Sequence, residues 1–365
     1  MAVEAFTVGV EEEFHVVDAE TLELQSAAQP VVAAAQKHLG DQAQPEMLAT
    51  QVEVETAICH TLDEVRSELT RLRRRVAEVA EAQGRRVLAS GAHPFSTWEG
   101  QRVTPKERYL TLEHDYQQLA REQLICGCHV HVAVPDADIA VRVMDRTRPW
   151  LSVLRALGAN SPFWQGTDTG YASYRTEVFD RWPTTGTPAP LGSRAAFDTL
   201  RDALLATGVM RDAGALYWDI RPSARYDTLE LRVADVGTTV DEDVMLAGLF
   251  RSLVRCCHAE VERSVPIDHP RPEIVRLARW RAARDGLEGN LVDLPDGRPV
   301  PARAVVERLL GVLREDLEAH GEWEEVSELV GRQLAQGSGA RRQREVATRS
   351  GIREVTADLV ARTRP

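Results

Sequence analysis

Acidic side chains that alternate along predicted strands are the residues of this sequence best placed for chemistry. In VGVEEEF, Glu11 and Glu13 share one face of an extended strand, and Glu12 points to the other face. VEVET repeats the pattern with Glu53 and Glu55. Carboxylates this close raise one another's pKa unless a cation lies between them, and their hard oxygen atoms suit Mg²⁺ or Mn²⁺. The alternative is the solvated face of an edge strand.

A third strand of this kind weakens that alternative. TLELRV places Glu230 and Arg232 on one face, opposite apolar residues. Glu46 is harder to place, because it precedes Glu53 by seven residues, which is the wrong parity for one continuous strand. A bend or bulge near residues 49–50 would be needed to bring Glu46 to the same face.

Two histidines follow the same alternation in GCHVHV. His129 and His131 share one face, and Cys128 lies on the other. A Cys₂His₂ zinc site needs four converging ligands, so this arrangement disfavours one. An H-x-H strand could still serve a zinc amide hydrolase with further His or Asp ligands. For each histidine, a hydrogen-bonded structural role and metal ligation are equally good explanations.

Arginines beside these strands could bind anions, since the guanidinium fork fits carboxylate or phosphate. The alternative for each is an ion pair. A long irregular segment, 158–192, contains several aromatic residues, which argues against disorder. We predict an amino-acid pocket there, with Arg175 taking an α-carboxylate; a packed loop is the alternative. The pocket candidates are Ser161, Trp164, Ser173, Tyr174 and Arg175.

Strands and helices that alternate along the first three quarters of the chain must position these residues. Hydrophobic alternation predicts strands over 6–17, 86–91, 123–134, 215–221 and 226–233. Helical periodicity predicts helices over 31–39, 62–83, 105–120, 137–157, 194–207 and 241–264. Helices alone are predicted after residue 270, over 273–285, 302–319, 322–336 and 341–362, with a loop after the first. We therefore expect a catalytic part, 1–270, and a helical part, 271–365, packed on the same domain.

Composition excludes several classes of function. The 365 residues are 43% hydrophobic and 27% charged, which indicates a folded globule. A net charge of -12 disfavours partners such as nucleic acid and anionic membranes. Without an apolar span or a signal pattern, we expect a cytoplasmic protein, and the odd number of cysteines favours reduced thiols. Lys37 and Lys106, the sole lysines, do not follow a glycine-rich turn, so a Walker-type loop is excluded.

Several longer motifs resemble the glutamate-cysteine ligase type 2 family of carboxylate-amine ligases, in order and in spacing. They are VGVEEEF, SGAHPF, GCHVHV, ANSPFWQGTDTGYASYR and WDIRPSARYDTLELRVAD. The resemblance implies an α+β, glutamine synthetase-like fold, with a curved, mainly antiparallel sheet whose acidic concave face is flanked by helices. It implies metal ligation by Glu11, Glu13, Glu46, Glu53, His129 and Glu230. It also implies catalytic roles for Arg232 and Glu53, and we expect nucleotide contacts from Arg221, Thr228 and Arg232.

The reaction that the resemblance implies uses ATP with Mg²⁺ or Mn²⁺. The γ-carboxylate of glutamate would become an acyl phosphate, which an amino group such as that of cysteine would attack. No protein nucleophile is required. The alternatives are the zinc amide hydrolase and a catalytically silent relative that binds a nucleotide or an amino acid. We expect ATP and amino-acid substrates as partners, and a homodimer is reasonable.

Overall fold

The computed structural model describes residues 4–294 and 296–365. Its first three quarters mix strands and helices: β1 Val8–Asp18, α1 Ala28–Leu39, β2 Ala43–Pro45, β3 Gln51–Glu55, α2 Leu62–Glu81, β4 Arg85–Leu88, α3 Glu107–Tyr116, α4 Gln118–Arg121, β5 Gly127–Ala133, α5 Ala137–Thr147, α6 Leu151–Leu157, β6 Phe163–Trp164, β7 Thr167–Asp168, α7 Tyr174–Phe179, α8 Arg194–Ala206, β8 Ile220–Pro222, β9 Thr228–Asp235 and α9 Val240–Glu262. The remainder contains α10 Pro272–Asp285, β10 Asn290–Asp293, β11 Arg298–Pro301, α11 Ala302–Ala319, α12 Trp323–Gln336, α13 Gly339–Ser350 and α14 Ile352–Thr363.

One seven-stranded sheet organises the molecule, in the order β2-β3-β1-β5-β9-β8, with β4 paired to the second half of β1. The strands of this sheet pair antiparallel. Helices α2, α5, α6 and α9 pack against it, and their apolar side chains form the main core with the strand residues that point towards them. The opposite face carries the acidic residues of β1, β3 and β9 and the two histidines of β5, as the alternation predicts.

Several helices begin and end where the sequence predicts them. Thr61 caps α2, because its hydroxyl accepts a hydrogen bond of 3.1 Å from the amide of Glu64. The long helix α9 begins with a capping box between Thr239 and Glu242. Buried Leu69 of α2 packs in the main core. The amphipathic stripe therefore fixes the face that each helix turns to the sheet.

Three predicted helices are interrupted. The helix expected over 105–120 divides into α3 and α4 at Gln117, whose φ is 50°. The one expected over 341–362 divides into α13 and α14 at Gly351, whose φ is 90°. A residue with a left-handed backbone cannot continue a right-handed helix. Because helical periodicity is present on both sides of that residue, the sequence pattern predicts a single helix. A 3-10 turn at Arg148–Trp150 likewise separates α5 from α6.

The sequence patterns did not predict the short strands. The loop expected after α10 is the hairpin β10–β11, and the strand expected over 215–221 is reduced to β8. The long segment 158–192 holds β6, β7 and α7. Strands of two to four residues are too short for alternation to mark them.

The C-terminal helices pack on the rest of the chain. Helix α10 contacts α6 and α7, α11 and α12 contact α9, and α14 contacts β4. The division at residue 270 stays a prediction. Within the described residues, no helix combines the length and apolarity that crossing a membrane requires. All five cysteines are free thiols, as the sequence predicts.

Candidate active site

A cavity of about 460 Å³ opens on the acidic face of the sheet. Carboxylates and histidines of β1, β3, β5 and β9 form its floor, and arginines surround them. The charged lining consists of Glu11, Glu13, Glu46, Glu53, Glu55, Lys106, Arg108, His129, His131, Arg175, Arg221, Arg225, Glu230 and Arg232. Most of the residues predicted for metal and nucleotide binding are thus brought together in one place.

The first group of ligands is made of oxygen atoms alone. Glu13, Glu46 and Glu53 each present a carboxylate oxygen, and these oxygens lie within 4.8 Å of one another. Glu13 and Glu53 are direct cross-strand partners. Glu46 reaches them because the chain reverses between β2 and β3, where the amide of Gln51 donates to the carbonyl of Leu48 at 2.9 Å. The bend predicted near residues 49–50 is therefore the turn of a hairpin, and the parity of a single strand does not apply.

These three carboxylates are protonated more easily than usual. Burial and the nearby charge of Glu46 raise the pKa of Glu13 to about 7, even though the amide of Gly127 donates to it at 2.7 Å. Burial, and then Glu46 and Glu11, raise the pKa of Glu53 well above its usual range. Burial also raises the pKa of Glu46. Three half-buried acids with raised pKa values fit a bound cation, which would offset their mutual repulsion.

The second group combines Glu11, His131 and Glu230, again with one atom each within 4.8 Å. Glu11 Oε1 lies 3.0 Å from His131 Nε2, and Glu11 Oε2 lies 3.0 Å from His129 Nδ1. Burial opposes ionisation of Glu11, but hydrogen bonds with the two histidines hold its pKa below the usual value. Glu230 is ion-paired with Arg221, at 2.7 Å, and with Arg232. Despite burial, these arginines hold the pKa of Glu230 well below its usual range.

The two histidines have different surroundings. His131 belongs to the second group, and its Nδ1 lies 2.9 Å from Thr228 Oγ1. His129 lies 3.5 Å from Arg232 Nη1, and burial together with that arginine lowers its pKa to about 4. The geometry thus favours His131 as a ligand, where the resemblance implied His129. Thr228, predicted to contact nucleotide, is outside the cavity lining among the described residues and supports His131 instead.

Of the five pocket candidates in the long segment, Arg175 is the one that lines the cavity. Its guanidinium crosses Gly127 so closely that a Cβ atom at that glycine would lie 2.2 Å from Arg175 Nη2. Arg175 is buried, and among the described residues its guanidinium makes one long hydrogen bond, 3.4 Å from Nη1 to the carbonyl of Arg232. Its Nε, within the described structure, has no partner. Spare donors therefore remain for a ligand.

The other pocket candidates of that segment lie elsewhere. The hydroxyls of Ser161 and Ser173 each donate to the buried carboxylate of Asp235 at 2.7 Å. Trp164 and Tyr174 pack against each other at a tilt of 51°, with ring centroids 5.7 Å apart. Among the described residues, the cavity lining includes none of the four. We correct their predicted placement: the polar groups are already satisfied by Asp235, and the rings pack in the loop.

Sequence patterns missed the less polar part of the lining. Tyr109 comes from the first turn of α3, and its Oη donates to Glu46 at 3.2 Å. Phe179, Trp182 and Tyr217 come from α7, the following loop and the segment before β8. No motif connects these elements, so spacing alone could not have grouped them.

The middle acid of the first strand has a different role. Glu12 points to the core side of the sheet, where Arg73 of α2 donates to it from Nε at 3.1 Å and from Nη2 at 2.6 Å. The same guanidinium donates to Asp243 of α9 at 2.8 Å and to the carbonyls of Gly237 and Thr238 at 2.9 Å. All three charged side chains are fully buried. This cluster joins β1 to α2 and α9 directly behind the cavity.

Comparison with known proteins agrees with this architecture. The model of glutamate-cysteine ligase family 2 (GCS2) matches residues 7–362, and the chain belongs to that family. A relative from Frankia alni is 44% identical over 371 residues, which cover 98% of this chain and 96% of the relative. One from Frankia casuarinae is 44% identical over 353 residues, which are 97% of this chain but 41% of the relative's length. Both carry the name "Putative glutamate--cysteine ligase 2-2".

A solved structure shows the same fold. The glutamate-cysteine ligase of Francisella tularensis, in complex with AMP, superposes with a TM-score of 0.72 at 12% identity, covering 99% of this chain and 89% of that one. The predicted α+β ligase fold, a mainly antiparallel sheet with flanking helices and helices at the C-terminal end, is confirmed. Family and fold together support a ligase that uses ATP.

Proposed function

We propose that the protein is a carboxylate-amine ligase that activates the γ-carboxylate of glutamate with ATP. The acyl phosphate would then react with an amino group, such as that of cysteine, and ADP and phosphate would be released. One observation carries the proposal: the two candidate ligand groups lie in the same cavity as the guanidinium groups of Arg221 and Arg232. The names of the relatives support glutamate and cysteine as substrates.

The donor sets fit divalent cations. The all-oxygen group of Glu13, Glu46 and Glu53 suits Mg²⁺ or Mn²⁺, and the group of Glu11, His131 and Glu230 adds one nitrogen ligand. When bound, such ions would offset charge on the ATP phosphate oxygens during transfer. The zinc hydrolase alternative has less support, because each group contains at most one histidine.

The charged side chains around these groups would orient the two substrates. Burial opposes the charge of Arg232, but Glu230 raises its pKa, so that the guanidinium stays charged. Arg232 would then stabilise the transferring phosphoryl group, and Glu53 would act beside it as the second catalytic residue. Arg221 would hold the other phosphates. Arg175 would take the α-carboxylate of glutamate with its spare donors, which leaves the γ-carboxylate to face the nucleotide.

The chemistry then proceeds in two displacements. An oxygen of the γ-carboxylate attacks the terminal phosphorus of ATP, and ADP leaves. The amine nitrogen attacks the resulting acyl carbon, the bond to the phosphate oxygen breaks, and the amine gives up a proton. We place this reaction in the cytoplasm, where ATP is supplied; a homodimer stays a prediction.

The first test is ADP release from Mg²⁺-ATP and glutamate, with and without a pool of amino acids, followed by mass analysis of the products. Release that depends on the amine, together with a new amide mass, is expected. Glu11→Gln should abolish it with the fold intact, and Glu99→Gln, at an exposed loop position, is the matched control. Unchanged turnover in Glu11→Gln would contradict the assignment of the site.

A further inference from the structure

Three aromatic side chains form one continuous wall of the cavity. Phe179, Trp182 and Tyr217, which we call the aromatic wall, all line it. The ring of Tyr217 meets Phe179 at 5.8 Å and Trp182 at 5.2 Å between centroids, both edge to face. Such contacts hold the rings rigidly against one another. Phe179 and Tyr217 are partly exposed to the cavity, and Trp182, which is 4% exposed, supports them from behind.

The aromatic wall lies at the end of the cavity that holds the all-oxygen ligand group. The Arg175 guanidinium, whose charge acts on Glu13, lies 5.5 Å from the centroid of Phe179. Trp182 is fixed by its Nε1, which donates to Gln123 at 2.6 Å. Further apolar side chains line the cavity, namely Met47, Leu112 and Ile125.

The other end of the cavity is cationic. Arg221 and Arg232 flank Glu230 there, and Arg225 follows in the loop between β8 and β9. Tyr226 of the same loop also lines the cavity and is 55% exposed, so that end offers its own aromatic surface to a nucleotide base. The triphosphate and base of ATP can therefore bind without the aromatic wall.

Glutamate does not require the aromatic wall either. Both of its carboxylates and its ammonium group are charged, and its side chain contributes only two methylene groups. Charged groups of the cavity satisfy such a molecule, and an apolar surface beside it would gain little from its burial. ATP and glutamate do not need the aromatic wall, so the amine is the substrate of the proposed reaction whose side chain can cover it.

We propose that the amine acceptor carries an apolar, preferably aromatic, side chain that packs on the aromatic wall. This inference rests on the proposed ligase function and specifies its second substrate. Packing would exclude water from the acyl phosphate, and a drier surrounding favours the neutral, nucleophilic form of the amine. A small thiol side chain would cover only part of the wall.

The test separates activation of glutamate from the choice of acceptor. Hydroxylamine has no side chain, so formation of γ-glutamyl hydroxamate from glutamate and Mg²⁺-ATP reports activation alone. Phenylalanine, phenethylamine, cysteine and glycine are then compared as acceptors. We expect kcat/KM for phenylalanine or phenethylamine to exceed that for cysteine and glycine by about tenfold or more.

Two tyrosines of the cavity provide a matched pair of variants. Tyr217→Ser should lower the ratio of kcat/KM between phenylalanine and glycine about tenfold, whereas Tyr226→Ser, at the cationic end, should leave that ratio unchanged. Hydroxamate formation with a preference for cysteine or glycine would overturn the inference and leave the ligase standing. Absence of hydroxamate would overturn the proposed function and the inference with it.

Discussion

At the scale of single residues, the two histidines of β5 differ in what they contact. His131 shares the second ligand group with Glu11 and Glu230, and His129 faces Arg232. We predict that His131→Gln raises the Mg²⁺ concentration for half-maximal ADP release about tenfold or more. His129→Gln should have a smaller effect on the same Mg²⁺ titration. A larger shift in His129→Gln would show that the implied ligand was right.

Gly127 is the residue that makes room for Arg175. A methyl group there would collide with the guanidinium, so Gly127→Ala should displace Arg175 and raise KM for glutamate about tenfold, as measured in steady-state kinetics. Gly311→Ala is the control. In the exposed face of α11, a Cβ at Gly311 meets no described atom within 4 Å, and alanine there should stabilise the helix by about 0.5–1 kcal/mol.

Residue patterns could predict the acidic floor because side chains alternate strictly along a strand. Glu11, Glu13, Glu53 and Glu230 follow from parity, and the register of the sheet brings them together. Parity could not separate His129 from His131, since both point to the same face. It also gave no sign that the hydroxyl of Ser161 is occupied by Asp235, which is distant in sequence.

At the scale of elements, α2 holds β1 through Arg73. We predict that Arg73→Met lowers the free energy of unfolding by about 3–5 kcal/mol, because Glu12 and Asp243 would stay buried without their cation. Arg74→Met, at the exposed neighbouring position, should change it by less than about 0.5 kcal/mol. Urea unfolding of both variants measures the difference. Equal stability would mean that the cluster does not hold the strand.

The loop after β4 makes stability depend on pH. His93 Nε2 lies 2.9 Å from the carbonyl of Leu22, and its Nδ1 accepts from the amides of Phe95 and Ser96. Burial lowers the pKa of His93 to about 3, below its value of 6.5 when unfolded. The unfolded chain therefore binds the proton first, and stability falls as the pH drops from 6.5 towards 3.

His93→Gln should remove that pH dependence and keep a donor and an acceptor in place. Between pH 7 and pH 5, the wild type should lose about 2 kcal/mol more than the variant in the free energy of unfolding. His114→Gln, at a histidine whose side chain is 83% exposed, is the control and should follow the wild type. Parallel curves for wild type and His93→Gln would contradict the role of burial.

At the scale of the whole molecule, long elements and their order were predictable and short ones were not. Helices α2, α9 and α11 have enough turns for an apolar stripe to be visible, and β1 has enough residues for alternation. The cavity wall, however, is assembled by tertiary contacts between α3, α7 and the segment before β8. Such contacts leave no periodicity in the local sequence. The fold that brings these elements together could therefore be predicted only from the resemblance of the motifs to a known family.

Helix α3 lines the cavity but packs less tightly on the rest of the molecule than the sheet does. From 107 to 116, all within the described chain, none of its side chains is fully buried, yet Arg108, Tyr109 and Leu112 line the cavity. Partly buried side chains such as Tyr109 and Leu112 pack it on the neighbouring core, and the exposed pair of Arg211 with Asp115 adds little. We expect this helix to unfold locally at far lower cost than the sheet beneath it. Local opening of α3 would let substrates enter and products leave while the acidic floor of the sheet keeps its geometry.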